Sequence, residues 1–546
     1  MEWLLSKIDR PAGTGDGSWT SWPRALLLAA GFAVIYVTTR SSILIGDGLA
    51  FVETVRGGDP AQFLYGCPNH LLQVPLARAT WLALGALGLP APPVYVWVGL
   101  SLIGTLGAIV FIGFLAAELM RTPTAGWLAA LLFGTSLHSW TQWNGEEYGF
   151  AMAYASAGLL FALRGRIMAA ALLWACSVLS HAEFFMAAPA FAATVWLSRD
   201  KPRSATTKLR RATWLMALAG ASTVAGLLLG SRLLGKWHDL PSLLAWLQYA
   251  LDLNRTYAMT SPEFARAAKG LVTAFTVAGH YWRDIVTGRG AFSHPWFLPA
   301  LTFGLVVLVL TAACLAAAVS QRRLFVFALL WVLPFELLGN AWFTPTVEKY
   351  HAGALPGFVL LVTGGLVYLS SRLPARRGAT VCAGFVVICA GLNLFGAVLP
   401  MQALGRDTTR ATQQLLQLNA EHQGRAVLVT CDGGNALPVW HAGIEYLRLR
   451  SIWKGSLPEI QDAILSWTRD RVAEGKVPHL LERWCYPEEW RTTASKVPFD
   501  LYFLERQFRL TPTPITGVPV AQPATTDPFT WRRGDIVRLD PAGGPQ

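Results

Sequence analysis

Charge is scarce in this chain. Asp, Glu, Lys and Arg make up 14% of its 546 residues, against about 25% in an average soluble protein. That deficit excludes an ordinary soluble surface. Paired cysteines are also missing: the chain has 7 Cys but no CxxC and no Cys/His ligand spacing, so no structural zinc motif is expected. Cys176, Cys314, Cys382 and Cys389 fall in apolar runs, where a thiol acts as a small hydrophobe. Cys67, Cys431 and Cys485 lie outside the runs, and the last two could pair on an oxidising side of a membrane. The polar, mixed stretch 1–23 lacks an apolar core followed by a small-residue cleavage site, so no cleaved signal peptide is expected. No repeat relates the two halves, as it does in many transporters. The formal charge is +12, yet the basic residues form short clusters between apolar runs and make no contiguous face. No nucleic-acid partner is expected.

What the chain has is apolar length. Hydrophobic residues reach 53%, and 23 Trp suit two aromatic belts at membrane interfaces. A span needs about 20 apolar residues. Runs at 24–44, 94–118, 126–140, 148–163, 167–179, 183–197, 214–234, 296–319, 324–342, 353–369 and 379–399 read as eleven spans. A further run, 71–89, is broken by Pro75 and Arg78 and reads as a helix lying at the interface. With the N-terminus inside, every inside loop carries Arg: Arg121, Arg164 and Arg166, the 199–211 cluster, Arg322 and Arg323, and Arg372, Arg376 and Arg377. This is the positive-inside pattern. The loops 45–93, 141–147, 180–183, 235–295 and 343–352 then fall outside, as does the tail 401–546.

The outside loops gather the reactive side chains. They are Asp47, Glu53, Asp59, His70, Glu146, Glu147, His181, Glu183, Glu348, Lys349 and His351. Gly46 and Gly48 flank Asp47, so the backbone can turn tightly there. A carboxylate at a membrane surface can serve as a general base or simply cap a helix. Lys349, His351 or an Arg of the 235–295 loop could face a leaving phosphate. Glu53, Asp59, Glu146 and Glu147 could offer oxygen ligands to a divalent ion, although no spacing demands one. In the 235–295 loop, Asp239 and Pro241 begin one helix. Ser261-Pro262-Glu263 begins a second, with Phe264, Ala267, Ala268, Leu271 and Phe275 on one face. Both suit the bilayer surface, as a lid or as an anchor. In the tail, 425–430 reads as a buried strand, Cys431-Asp432-Gly433-Gly434 as a turn and 457–474 as a helix.

The order of these features resembles a known family. One span is followed by an outside loop with an early Asp47, then by Pro68-Asn69-His70-Leu71-Leu72 entering an interfacial helix. The pattern resembles GT-C-type glycosyltransferases, and more closely the bacterial multipass relatives of protein O-mannosyltransferases. The family's His-Pro-Pro-Gly-Tyr-Pro-Leu motif is matched in part at His70, without Pro-Pro-Gly. Its Ala-Glu-Val-Tyr is echoed by Gly145-Glu146-Glu147-Tyr148, and its Gly-Asn-His by Leu179-Ser180-His181-Ala182. A Gly-Asp-Asn turn is echoed by Asp432-Gly433-Gly434-Asn435.

The resemblance implies an α-helical polytopic membrane protein of GT-C-like fold. It has about eleven transmembrane helices over 1–400 and a small C-terminal α/β extracytoplasmic domain over 401–546. With the loop chemistry above, it gives Asp47 and Glu147 as expected catalytic residues, and His70, Glu146 and His181, together with Lys349 and His351 from the outside loops, as expected substrate-binding ones. The implied partners are a polyprenyl-phosphate-linked sugar donor and a protein or glycan acceptor, in a bacterial cytoplasmic membrane. A flippase of a lipid-linked glycan, or a non-catalytic scaffold on a degenerate GT-C fold, are the competing readings.

Overall fold

The computed structural model describes residues 22–41, 48–56, 70–198, 204–233, 238–256, 261–277, 297–342, 348–430, 444–448, 457–481, 508–512 and 536–541. The chain divides into two compact units, one of 1–39 and 51–399 and one of 40–50 and 400–546.

The first unit is a helical assembly. Helix α1 is Trp22–Thr38, α2 Gly48–Arg56, α3 Gln73–Ala86, α4 Pro93–Met120, α5 Pro123–Gly134, α6 Leu137–Thr141 and α7 Tyr148–Leu163. Then come α8 Ile167–Ser180, a tight turn Ala182–Ala187, α9 Ala188–Leu197, α10 Ala205–Leu233, α11 Leu240–Thr256 and α12 Phe264–Phe275. Helices α13 Phe297–Ser320, α14 Arg322–Leu333, α15 Leu355–Ser371 and α16 Ala375–Asn393 complete it. Among the described residues, four helices are long and apolar enough to cross a membrane, and seven shorter apolar ones accompany them. Each of these overlaps one of the apolar runs. The outward faces stay apolar: Leu27, Val34 and Val37 on α1, Leu308, Leu315 and Val319 on α13, and Val387 on α16 are exposed. Such a surface suits lipid and not water, and the chain is an integral membrane protein.

Prolines set where helices begin. Pro93 and Pro123 stand at first helical positions, where a missing N–H costs nothing. The run 126–140 is not one helix. It breaks after Gly134, and Ser136 caps α6 by accepting from the Ser139 N–H. Small residues then let backbones meet. A Cβ on Gly104 would lie 2.5 Å from the Phe150 nitrogen, and one on Gly149 2.7 Å from the Thr105 nitrogen. Helices α4 and α7 therefore pack backbone to backbone, as small residues permit in membranes.

Helix α11 begins as expected, with Asp239 Oδ1 accepting from Ser242 N–H at 2.8 Å. Those hydrogen bonds from Ser242 hold the Asp239 carboxyl below its ordinary range. Helix α12 differs from expectation. Ala267, Leu271, Ala274 and Phe275 are buried within the protein, and Phe264 is exposed. Phe275 packs edge-on against Phe358. Asn393 fixes the end of α12 by accepting from Val277 N–H and donating to Phe275 and Thr135 carbonyls. The apolar face of this helix is thus turned to its neighbours rather than to a bilayer surface.

The second unit holds α17, Leu399–Glu421, α18, Leu457–Ala473, and a five-stranded sheet. Its strands are β1 Ala426–Thr430, β2 Glu445–Arg448, β3 Val477–Leu481, β4 Phe508–Pro512 and β5 Ile536–Pro541. Their order is β2-β1-β3-β5-β4. Strand β1 runs parallel to β2 and β3, and β5 runs antiparallel to β3 and β4. Val427, Leu428 and Val429 are fully buried, as expected of a central strand. This is the small α/β fold expected of the tail. The expected turn 431–435 and Cys485 lie outside the described residues.

Candidate active site

Three segments far apart in sequence converge inside the helical unit. His70 stands at the entrance to α3, Glu147 immediately precedes α7, and His181 follows the end of α8. His70 Nδ1 lies 3.0 Å from Glu147 Oε1, and His181 Nε2 lies 3.6 Å from the same oxygen. One ligand atom from each residue fits within 4.8 Å of the others. The side chains are 9%, 2% and 13% exposed for His70, Glu147 and His181. A carboxylate so deeply buried needs partners, and the two imidazoles supply them.

Local structure explains the convergence. Leu72 N–H donates to Leu179 O at 3.0 Å, tying the His70 segment to the end of α8. Gln73 donates to Ser101 Oγ at 3.2 Å, which fixes the same segment on α4. Trp97 Nε1–H donates to Gly145 O at 2.8 Å and holds the short loop carrying Glu146 and Glu147. Ser177 Oγ donates to Ala151 O at 2.7 Å, locking α8 onto α7. His181 itself leaves the helix in an extended conformation, with φ −151° and ψ 117°.

Aromatic rings wall the cluster. Phe51 stacks on Trp97 and meets His70 edge-on, with centroids 4.6 Å and 5.3 Å apart. Tyr148 lies 4.3 Å from the His181 ring. Behind His181, its Nδ1 faces Glu183 Oε1 at 3.8 Å. Glu146 is buried beside Glu147.

A second polar cluster joins His351, a candidate from sequence, to two residues that the sequence reading did not name, Glu336 and Asn340. The helix following α14 widens to a π turn over Pro334–Asn340. Glu336 on that turn meets His351, whose Nδ1 lies 2.9 Å and 3.1 Å from the two carboxylate oxygens. Asn340 donates to Glu336 Oε1 at 3.0 Å. His351 is fully buried. The turn that carries it is pinned by Trp331 Nε1–H donating to Gly353 O at 2.9 Å. Phe184 and Phe335 meet edge-on at 5.6 Å and link this cluster to the His181 segment. One signal was present in the sequence. Glu336 is the lone charge in 324–342, and Asn340 follows it by one helical turn. A lone charge in a span is commonly functional.

Asp47 and Asp59 fall outside the described residues, as do the side chains of Glu53 and Lys349. The backbone of Lys349 belongs to a tight turn, Glu348–His351. The structure therefore joins His70, Glu147 and His181 directly, and joins His351 to Glu336.

Comparison with known proteins bears on the fold. No protein-family model matches the chain, and no curated protein matches it either. Solved structures do. ArnT from Cupriavidus metallidurans bound to undecaprenyl phosphate superposes with a TM-score of 0.54 at 12% identity, covering 96% of this chain and 100% of that one. The apo form of the same protein gives 0.54 at 12% identity, over 95% and 99%. AglB, the oligosaccharyltransferase of Archaeoglobus fulgidus in complex with an inhibitory peptide and a dolichol-phosphate, gives 0.47 at 12% identity, over 92% and 75%. The ArnT likeness spans both chains almost end to end, and this chain has a GT-C-like fold.

Proposed function

We propose that this chain is a membrane glycosyltransferase that moves a sugar from a polyprenyl-phosphate donor to an acceptor hydroxyl on the extracytoplasmic side. One observation supports this most. His70, Glu147 and His181, picked out separately by motif, meet at one buried point of a GT-C fold. ArnT, the similar structure, was solved with undecaprenyl phosphate bound, and that ligand class is carried over here.

The chemistry asks for few parts. The acceptor O–H gives its proton to a carboxylate, its oxygen bonds to the sugar's anomeric carbon, and the bond to phosphate breaks. Polyprenyl phosphate leaves without needing a strong acid. In this reading Asp47 is the base. It stands four residues before Phe51, whose ring touches His70. Glu147 assists from the cluster, and Glu146 and the two histidines bind sugar or phosphate. Lys349, His351 or an Arg of the 235–295 loop meets the phosphate, and Glu336 orients the His351 ring through Nδ1.

The test is transfer of radiolabelled sugar by purified protein from a panel of polyprenyl-phosphate donors. Turnover is expected with at least one donor, and Asp47→Asn is expected to lower it by roughly 10²–10⁴-fold, the worth of a positioned base. Folded protein that transfers nothing from any donor, or an Asp47→Asn variant with normal turnover, would defeat the respective assignment. Movement of intact lipid-linked glycan across vesicles without transfer would favour a flippase.

A further inference from the structure

We infer that His70, Glu147 and His181 form a binding site for a zinc-class transition-metal ion. The oxygen set considered from sequence, Glu53, Asp59, Glu146 and Glu147, is a different one. Only Glu147 is shared.

The argument starts from spacing. Ligands about 2.0–2.1 Å from a tetrahedral ion stand about 3.3 Å from one another. Two of the three separations, 3.0 Å from His70 Nδ1 to Glu147 Oε1 and 3.6 Å from His181 Nε2 to that oxygen, bracket this value, and one ligand atom of each residue lies within 4.8 Å of the others. Alignment is the second observation. His70 Nδ1 is buried and 3.0 Å from a carboxylate oxygen, yet makes no hydrogen bond with proper geometry. A histidine–carboxylate pair held only by a shared proton would align its N–H on the oxygen. Two ligands of a common ion point at the ion instead.

The donor set narrows the metal. Two imidazole nitrogens and one carboxylate oxygen suit zinc and its first-row neighbours, whereas magnesium and calcium take mostly oxygen. His181 turns its other nitrogen toward Glu183. That carboxylate–histidine arrangement orients metal ligands and raises their basicity. Three ligands leave a fourth position. One carboxylate offsets only half of a divalent charge, so an anionic oxygen is favoured there. The metal site stands on the ligand geometry alone. That a donor phosphate takes the fourth position rests on the transferase reading.

The probe is cobalt(II), whose visible bands report tetrahedral coordination. Full-length protein in detergent is stripped with a chelator and titrated with Co²⁺, then with Zn²⁺ in competition. One bound equivalent with tetrahedral bands, displaced by zinc, is expected. Glu147→Gln and His181→Gln are each expected to weaken binding at least tenfold. His238→Gln, at an exposed position, is expected to bind as wild type does. Wild-type protein without tetrahedral bands would overturn the site, and so would folded Glu147→Gln and His181→Gln variants that bind as tightly as wild type. The wild-type spectrum decides the matter even if a variant fails to fold. Adding inorganic phosphate or a polyprenyl monophosphate to the cobalt form should shift the bands. Unshifted bands would remove phosphate from the fourth position and leave the metal in place. Sugar transfer is assayed separately, so loss of either reading is seen without the other.

Discussion

Glu336 and His351 show what a buried charge asks of its neighbours. The carboxylate sits in an otherwise apolar helix, with His351 and Asn340 drawn close at 2.9 Å and 3.0 Å. Removing one partner of such a pair costs about 3–5 kcal/mol, because the other stays buried without it. Glu336→Leu and His351→Leu are each expected to lower thermal stability in detergent by an amount of this order. The double variant should lose much less than the sum. Strictly additive losses would mean that the two side chains do not support each other. Sequence made Glu336 visible as a lone charge, but its partner lies 15 residues on, across a turn whose path no local pattern dictates.

His479 gives a residue-scale prediction in the second unit. It lies on β3, its ring tilted against that of His422, and burial followed by the His422 charge lowers its pKa from 6.5 to about 4. Between those two values the unfolded chain binds a proton that the folded chain refuses. Stability of this unit should therefore rise with pH from about 4 to about 6.5 and be level above, with about 3 kcal/mol at stake for a single group. Amide exchange of the β1 and β3 strands in full-length protein, followed across this range, checks it. His479→Phe should flatten the slope. A slope of unchanged size in that variant would assign the effect to another group.

At the scale of elements, helix existence was legible and helix packing was not. Apolar runs bounded by Pro and Arg marked each helix, because length and hydropathy are local properties. The break after Gly134 was missed because Thr135 and Ser136 interrupt the run too mildly to register by composition. The placing of α12 was missed because an amphipathic face looks alike whether lipid or protein covers it. Close backbone contact at Gly104 and Gly149 was equally hidden, since it is a property of pairs of helices. It can be tested. Gly149→Val would push a branched side chain into the Thr105 backbone, and overpacking of this kind costs typically 1–3 kcal/mol or more. Gly31→Ala, with open space around its Cβ, should be neutral or slightly stabilising through helix propensity. Melting temperatures of the two variants in detergent should separate clearly. Equal values would show that α4 and α7 have room to move apart.

At the scale of the whole molecule the site was half legible. Motif order singled out His70, Glu147 and His181, but nothing in a linear reading put their atoms within reach of one ion. That depends on Leu72 meeting Leu179 and on Trp97 holding Gly145, contacts across 107 and 48 residues. Membrane orientation is the global property that sequence speaks to most directly. Arg recurs in each loop assigned to the inside, and cationic loops resist translocation. The N-terminus should therefore lie in the cytoplasm and the C-terminal unit outside. Among the described residues, four helices satisfy the length and hydropathy of a span unaided, and a shorter one is accommodated by thinning the bilayer locally or by burying its polar ends in protein. The short helices α5, α8 and α9 are where an error would enter. Adding or losing one crossing among them would invert every later loop. A reporter active only outside the cytoplasm, fused after Leu399, should be active, and one fused after Asp200 should be silent. Activity at Asp200 with silence at Leu399 would place an odd number of miscounted crossings before Asp200. Silence at both sites would confine the miscount to the helices between α10 and α16.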